Sequence, residues 1–280
     1  MPAWLAALLT RKMLICIFTG FSSGLPLYLL LNLLPAWLRS EGVDLKTIGF
    51  FALIQFPYTW KFLWSPLLDQ WRLPLLGRLG RRRSWLLLSQ GLIALGLIGM
   101  AFCDPQQHLH WLIASAVVVA FASATQDIAV DAYRLEIADD THQAALAASY
   151  MAGYRVAALL ATAGALYFAD WFGTPSLGYQ HGAWASTYML FALLMLPGLI
   201  TTLWMRESPL PLRTQQAAER FGLNHQLISV LVLIVLLISI PAMFTQLYHT
   251  EFHRVLVKGE SLLDLLTDDR AFPRAILYIV

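Results

Sequence analysis

From Met13 to Leu38 the chain runs twenty-six residues without a single Asp, Glu, Lys or Arg. A helix of that length reaches about 39 Å, more than the roughly 30 Å hydrocarbon core of a bilayer. The pattern recurs. Apolar windows of at least eighteen residues follow at Ile48–Leu68, Ser84–Phe102, Trp111–Tyr133, Ala144–Phe168, Trp184–Met205 and Leu227–Tyr248. Segments of this kind must be helical, because a strand with an open edge would leave backbone N–H and C=O groups unpaired in lipid. The chain is 58% hydrophobic and 13% charged, against about half and about a quarter for soluble domains. An ordinary water-soluble enzyme is thereby excluded, and a net charge of +2 gives no reason to expect nucleic-acid binding. Cys16 and Cys103, the two cysteines, cannot make a disulfide framework. The fold class expected is all-α, a polytopic membrane protein.

Basic residues in short loops set the orientation. Eleven fall on one side of the expected spans: Arg11, Lys12, Arg72, Arg78, Arg81, Arg82, Arg83, Arg134, Arg206, Arg213 and Arg220. The other side holds Arg39 and Lys46. This asymmetry places the N-terminus in the cytosol and returns the chain there after six spans. Trp37, Trp85, Trp111, Tyr133, Trp184 and Trp204 stand at span ends, where amphipathic rings anchor to headgroups. Met13–Leu38 is too long for the apolar core of a signal peptide and reads as a retained anchor. The expected organisation is a cytosolic N-terminus at 1–12, a six-helix bundle at 13–205, a polar linker at 206–226 and an incomplete second unit at 227–280. Ala275–Val280 opens another apolar run, so the C-terminus reads as unfinished.

Ionisable groups at membrane depth cost about 2.5–3.5 kcal/mol each on insertion scales and therefore mark function. Four qualify: Lys61, Asp127, Asp131 and Arg155. Ser123, Asp127, Asp131 and Arg134 fall within an arc of roughly 80° on one helix, with Gln126 at its edge. Asp127 lies about 24 Å and Asp131 about 30 Å along that helix from Trp111. Asp127 reads either as a proton-carrying carboxylate or as the ionised half of a buried pair. Asp131 reads first as a partner of Arg134 or of Arg81–Arg83. Arg155, about 17 Å into its span, cannot shed its proton and needs an anion. Its candidates are an acidic side chain, Asp127 among them, or a substrate carboxylate. Lys61 either faces a cavity or snorkels to the interface beside Trp60 and Trp64. Gly20, Ser22, Ser23, Gly24 and Pro26 crowd one stretch of the first span, and suit either close packing or a hinge.

No phosphate-binding Gly-rich loop, nucleophile elbow or cysteine-rich metal site occurs. His249 and His253 around Glu251, like His108 and His110, read as solvated groups. No cofactor or metal is expected, and no enzymatic activity. Six helices, a linker and further apolar sequence match one half of a carrier built from two six-helix halves.

Specific stretches carry this further: GFSSGLPL at Gly20–Leu27, DLKTIGFF at Asp44–Phe51, KFLWSPLLD at Lys61–Asp69, GRRRSWLL at Gly80–Leu87, SATQDIAVDAY at Ser123–Tyr133 and GYR at Gly153–Arg155. On these residues 13–205 resemble the N-terminal half of the AmpG family of muropeptide permeases, within the major facilitator superfamily. The resemblance implies a proton-driven importer in the inner membrane of a Gram-negative bacterium. Its cargo would be anhydro-muropeptides, carried from periplasm to cytosol for peptidoglycan recycling. On that view Asp127 and Asp131 couple protons, and Arg155 and Lys61 meet cargo carboxylates. Gln126 and Ser123 meet hydroxyls, and Tyr154 or Trp60 meets sugar faces. Asp69 with Arg81, Arg82 and Arg83 would form the superfamily's conformational latch, although Ser65 stands where glycine is usual. Implied partners are muropeptide, protons, the bilayer and a complementary C-terminal half, without which the 280 residues are not expected to transport. Competing readings are a carrier for another anionic solute (acetyl-CoA or a sugar phosphate), a non-transporting remnant, and an intramembrane prenyl transferase. The last needs a second acidic cluster facing Asp127 and Asp131, and Asp139 and Asp140 sit in a loop.

Overall fold

The computed structural model describes residues 10–43, 45–70, 73, 76–137, 142–173 and 181–207. The expected segment Leu227–Tyr248, Ala275–Val280, the His249–His253 pair, Arg72, Arg213, Arg220, Asp139 and Asp140 lie outside the described residues. Among those described, every regular element is helical.

Five helices are long and apolar enough to cross a membrane: α1 (Arg11–Ser40), α2 (Arg81–Phe102), α3 (Pro105–Ile137), α4 (Gln143–Phe172) and α5 (His181–Trp204). The shortest, with 22 residues, rises about 33 Å. The expected span Ile48–Leu68 differs. It is helical but broken, running as Leu45–Phe50, the 3₁₀ turn Phe51–Gln55, Phe56–Trp60, the 3₁₀ turn Lys61–Leu63 and Ser65–Gln70. Pro57 stands in the first turn of one piece and Pro66 in that of another. A proline can begin a helix but cannot donate to the preceding turn, so each restarts the helix instead of continuing it. The breaks place Lys61 in a tight turn facing α3.

α1 lies along α4, and α2 lies along α3 and α5. Small residues permit the closest of these crossings. A Cβ on Gly20 would collide with the carbonyl oxygen of Tyr150, and one on Gly153 with that of Ile17. Gly24 backs onto Tyr154 in the same crossing. Pro26 sits inside α1 and cannot donate to the carbonyl four residues back. Just beyond it α1 widens into a π turn, Leu29–Leu33. α4 has its own π turn at Leu160–Gly164, in contact with the first.

The N-terminal ends of α1 and α2 meet the C-terminal ends of α3 and α5. There cations reach carbonyls that have no partner inside their own helices. Arg11 donates to Trp204 O (2.5 Å), Lys12 to Ile137 O (2.9 Å) and Arg83 to Leu203 O (2.7 Å) and Thr202 O (3.2 Å). Towards the opposite end, fully buried Trp37 packs against Tyr188 at 5.1 Å and against Trp184 at 6.2 Å.

Candidate functional site

Two groups of charged side chains occupy different levels of the bundle. The first surrounds Asp127 on α3. Ser23 of α1 donates a hydrogen bond to Asp127 Oδ1, and Tyr150 of α4 donates to Ser23 Oγ at 3.1 Å. Lys61 Nζ stands 3.8 Å from Asp127 Oδ2, with Asp127 largely covered and Lys61 partly open. Asp127 therefore has a cation, but it is Lys61 and not Arg155. Arg155 is exposed on α4, and no hydrogen bond or ion pair ties it to a described residue. It follows Gly153, which faces α1, by two residues and so points about 200° around the helix from that contact. Equal depth in the membrane does not bring two groups together when their helix faces diverge.

Tyr154 is half-buried and meets Tyr28 edge to face at 5.8 Å and Tyr150 at 6.0 Å. Asp131 pairs with Arg134 at 3.4 Å and is 45% exposed, while the Arg134 guanidinium lies over the Tyr150 ring at 5.2 Å. Gln126 is fully buried and donates to Ser22 Oγ at 2.7 Å. Gln90 of α2 also donates to Ser22, at 3.3 Å, and Thr202 of α5 donates to Gln90 at 3.0 Å. This polar tie joins α1, α2, α3 and α5, and it leaves Gln126 no open face in this conformation. Ser123 is buried beside the hydroxyl of Tyr58. Trp60 is exposed and stacks between Phe56 and Phe62.

The second group lies where α2 begins. Arg82 bonds Asp69 at 2.8 Å and Glu136, in the last turn of α3, at 2.8 Å. Arg81 bonds the same Glu136 at 2.8 Å and the Asp69 carbonyl at 2.8 Å. Both arginines are buried. Glu207, beyond α5, accepts the backbone N–H groups of Arg82 (2.9 Å) and Arg83 (3.3 Å), an anion on the positive end of a helix. Gly80 precedes them at φ +117°, and a side chain there would strike Glu207. Residue pattern singled out Asp69 and the three arginines but missed Glu136, Glu207 and the hydroxyl of Ser23. Among the described residues no three His, Cys, Asp or Glu side chains cluster as metal ligands.

An all-helical bundle with several membrane-crossing helices and a charge pair at depth is the build of a polytopic carrier. A family model described as Major Facilitator Superfamily matches residues 16–266, and the chain belongs to that superfamily. Within it, the chain is 40% identical over 232 residues to the anhydromuropeptide permease of Escherichia coli, covering 79% of this chain and 44% of that protein. It is 41% identical over 201 residues to an uncharacterized protein of Haemophilus influenzae, 71% of this chain and 44% of the relative. A putative transporter, AmpG 4, of Rickettsia conorii is 35% identical over 191 residues, 68% and 44% respectively. The chain thus spans less than half the length of the curated relatives it matches.

Proposed function

We propose that this chain forms the N-terminal part of a proton-driven importer of anhydro-muropeptides, a carrier with no catalytic chemistry of its own. It sits in the bacterial inner membrane with its N-terminus in the cytosol. Residues 13–205 make one bundle, 206–226 a linker, and 227–280 the opening of a second bundle. The similarity to the E. coli permease supports the cargo. The basic asymmetry of the loops supports the orientation.

The observation that carries the mechanism is the loose pair of Lys61 and Asp127 at 3.8 Å. A pair is neutral as a whole, which lowers its cost in a low-dielectric bundle. When Asp127 takes a proton, Lys61 loses its counter-ion. A cargo carboxylate restores neutrality, so binding of anion and proton become linked. Loss of the proton on the cytosolic side returns Lys61 to Asp127 and expels the cargo. Arg155 and Tyr154 of α4 supply a second charge and an aromatic face for the glycan-linked peptide. Asp131, held in place by Arg134, passes protons towards the cytosol. Asp69 and Arg81–Arg83 latch the bundle to the rest of the carrier.

The test co-expresses this chain with the C-terminal half of the E. coli relative in cells lacking their own permease, and follows labelled anhydro-muropeptide. Accumulation against a gradient is expected with both pieces and not with this chain alone. Asp127→Asn should abolish accumulation while energy-independent exchange continues. Undiminished accumulation in that variant would refute the proton role.

A further inference from the structure

We propose that Ser23 and Tyr150 are positioning residues for Asp127, a two-hydroxyl relay through which α1 and α4 sense whether that carboxylate is charged. This rests on the reading of Asp127 as the proton carrier. A serine hydroxyl has one proton to give. Because Ser23 Oγ accepts from Tyr150 at 3.1 Å, its own proton is committed to Asp127. Three oxygens on three helices are thereby lined up, with every proton aimed at the carboxylate. That order suits an acceptor at Asp127. A protonated Asp127 that donates to Ser23 displaces the serine's own proton from the carboxylate. The other oxygen bonded to Ser23 is that of Tyr150, so the serine proton turns there and the Tyr150 bond reverses. Proton uptake is thereby transmitted to α4, the helix that carries Tyr154 and Arg155.

Tyr150 is held firmly enough to act this way. Its carbonyl fills the space left by the missing side chain of Gly20, so its backbone cannot drift from α1. Arg134, itself paired with Asp131, covers the ring from the other side at 5.2 Å. The remaining titratable groups around the relay are Lys61 and Tyr58 of the broken segment, Asp131 of α3, Tyr154 of α4 and Tyr28 of α1. Among the described residues Ser23 is the one hydroxyl bonded to Asp127.

Infrared difference spectra of the full 280-residue chain in detergent test the relay without requiring transport. Acid-minus-neutral spectra report the Asp127 carboxyl stretch, identified by its loss in Asp127→Asn. Ser23→Ala should move that band to higher wavenumber, as expected when the carboxyl group loses a hydrogen-bond partner. Tyr150→Phe, which keeps the ring, should move it the same way by less. The double variant should match Ser23→Ala alone, since Tyr150 acts through Ser23, and Ser23→Thr should restore the native band. A band unmoved by Tyr150→Phe, or shifts that add in the double variant, would overturn the relay. Should Ser23→Ala fail to fold, Tyr150→Phe decides alone. If Asp127→Asn loses coupled uptake while Tyr150→Phe leaves the band in place, the relay fails and the carrier reading survives. If Asp127→Asn keeps coupled uptake, that reading fails whatever the spectra show.

Discussion

The two charged regions use the same residue types in opposite ways. At the start of α2, each buried arginine is bonded to a carboxylate at 2.8 Å, and Glu136 is shared between two of them. Around Asp127 the cation stands off at 3.8 Å and is partly open to its surroundings. A network with several short, shared bonds costs much to break, because any member removed strands a buried charge. A single loose pair can be opened by one proton. The first arrangement suits holding helices together, and the second suits exchange.

That contrast sets an order of effects. Glu136→Gln should be the most damaging, since it leaves Arg81 and Arg82 without their shared carboxylate. Breaking such a buried pair costs about 3–5 kcal/mol, to be read from thermal unfolding in detergent. Glu207→Ala should cost about 0.5–2 kcal/mol, the range for losing a helix cap, with the loss confined to the α2 end by hydrogen exchange. Asp127→Asn, by contrast, should change stability by about 1 kcal/mol or less, as partly exposed pairs do, while removing coupled accumulation. Asp131→Asn breaks an i,i+3 pair and should cost about 0.2–0.5 kcal/mol. If Asp127→Asn proved as destabilising as Glu136→Gln, the distinction between a holding region and an exchanging one would fall.

Much of this architecture is legible in the amino-acid order because hydrocarbon imposes a simple rule on length and polarity. Met13–Leu38, Ser84–Phe102 and Trp111–Tyr133 each lie within one long helix. Average hydropathy marks Ile48–Leu68 as apolar but is blind to where prolines fall, and there the helix runs in pieces. Pro57 and Pro66 were the visible signal that this stretch would be segmented. Depth along each helix was readable for Asp127 and Arg155, but the partner of Asp127 depended on helix faces and on the break at Lys61. Glu136 and Glu207 stand at span ends, where nothing in their spacing singles them out. Their roles appear only when α3 and α5 end beside the start of α2. Ser23 looked like a small packing residue, and its hydroxyl gains a role from α3 and α4, which are distant in sequence.

The paired π turns of α1 and α4 have a geometric consequence of their own. A π turn inserts one residue beyond the normal helical repeat, and one residue corresponds to about 100° of rotation. Everything past Leu33 in α1, including Trp37 with its stack on Tyr188, is phased by that insertion. The touching turn at Leu160–Gly164 rephases the outer part of α4 alongside it. Deleting a single residue from either loop of backbone would swing one helix tip away from its neighbours while the other stayed put, so the two insertions form a matched set of gears.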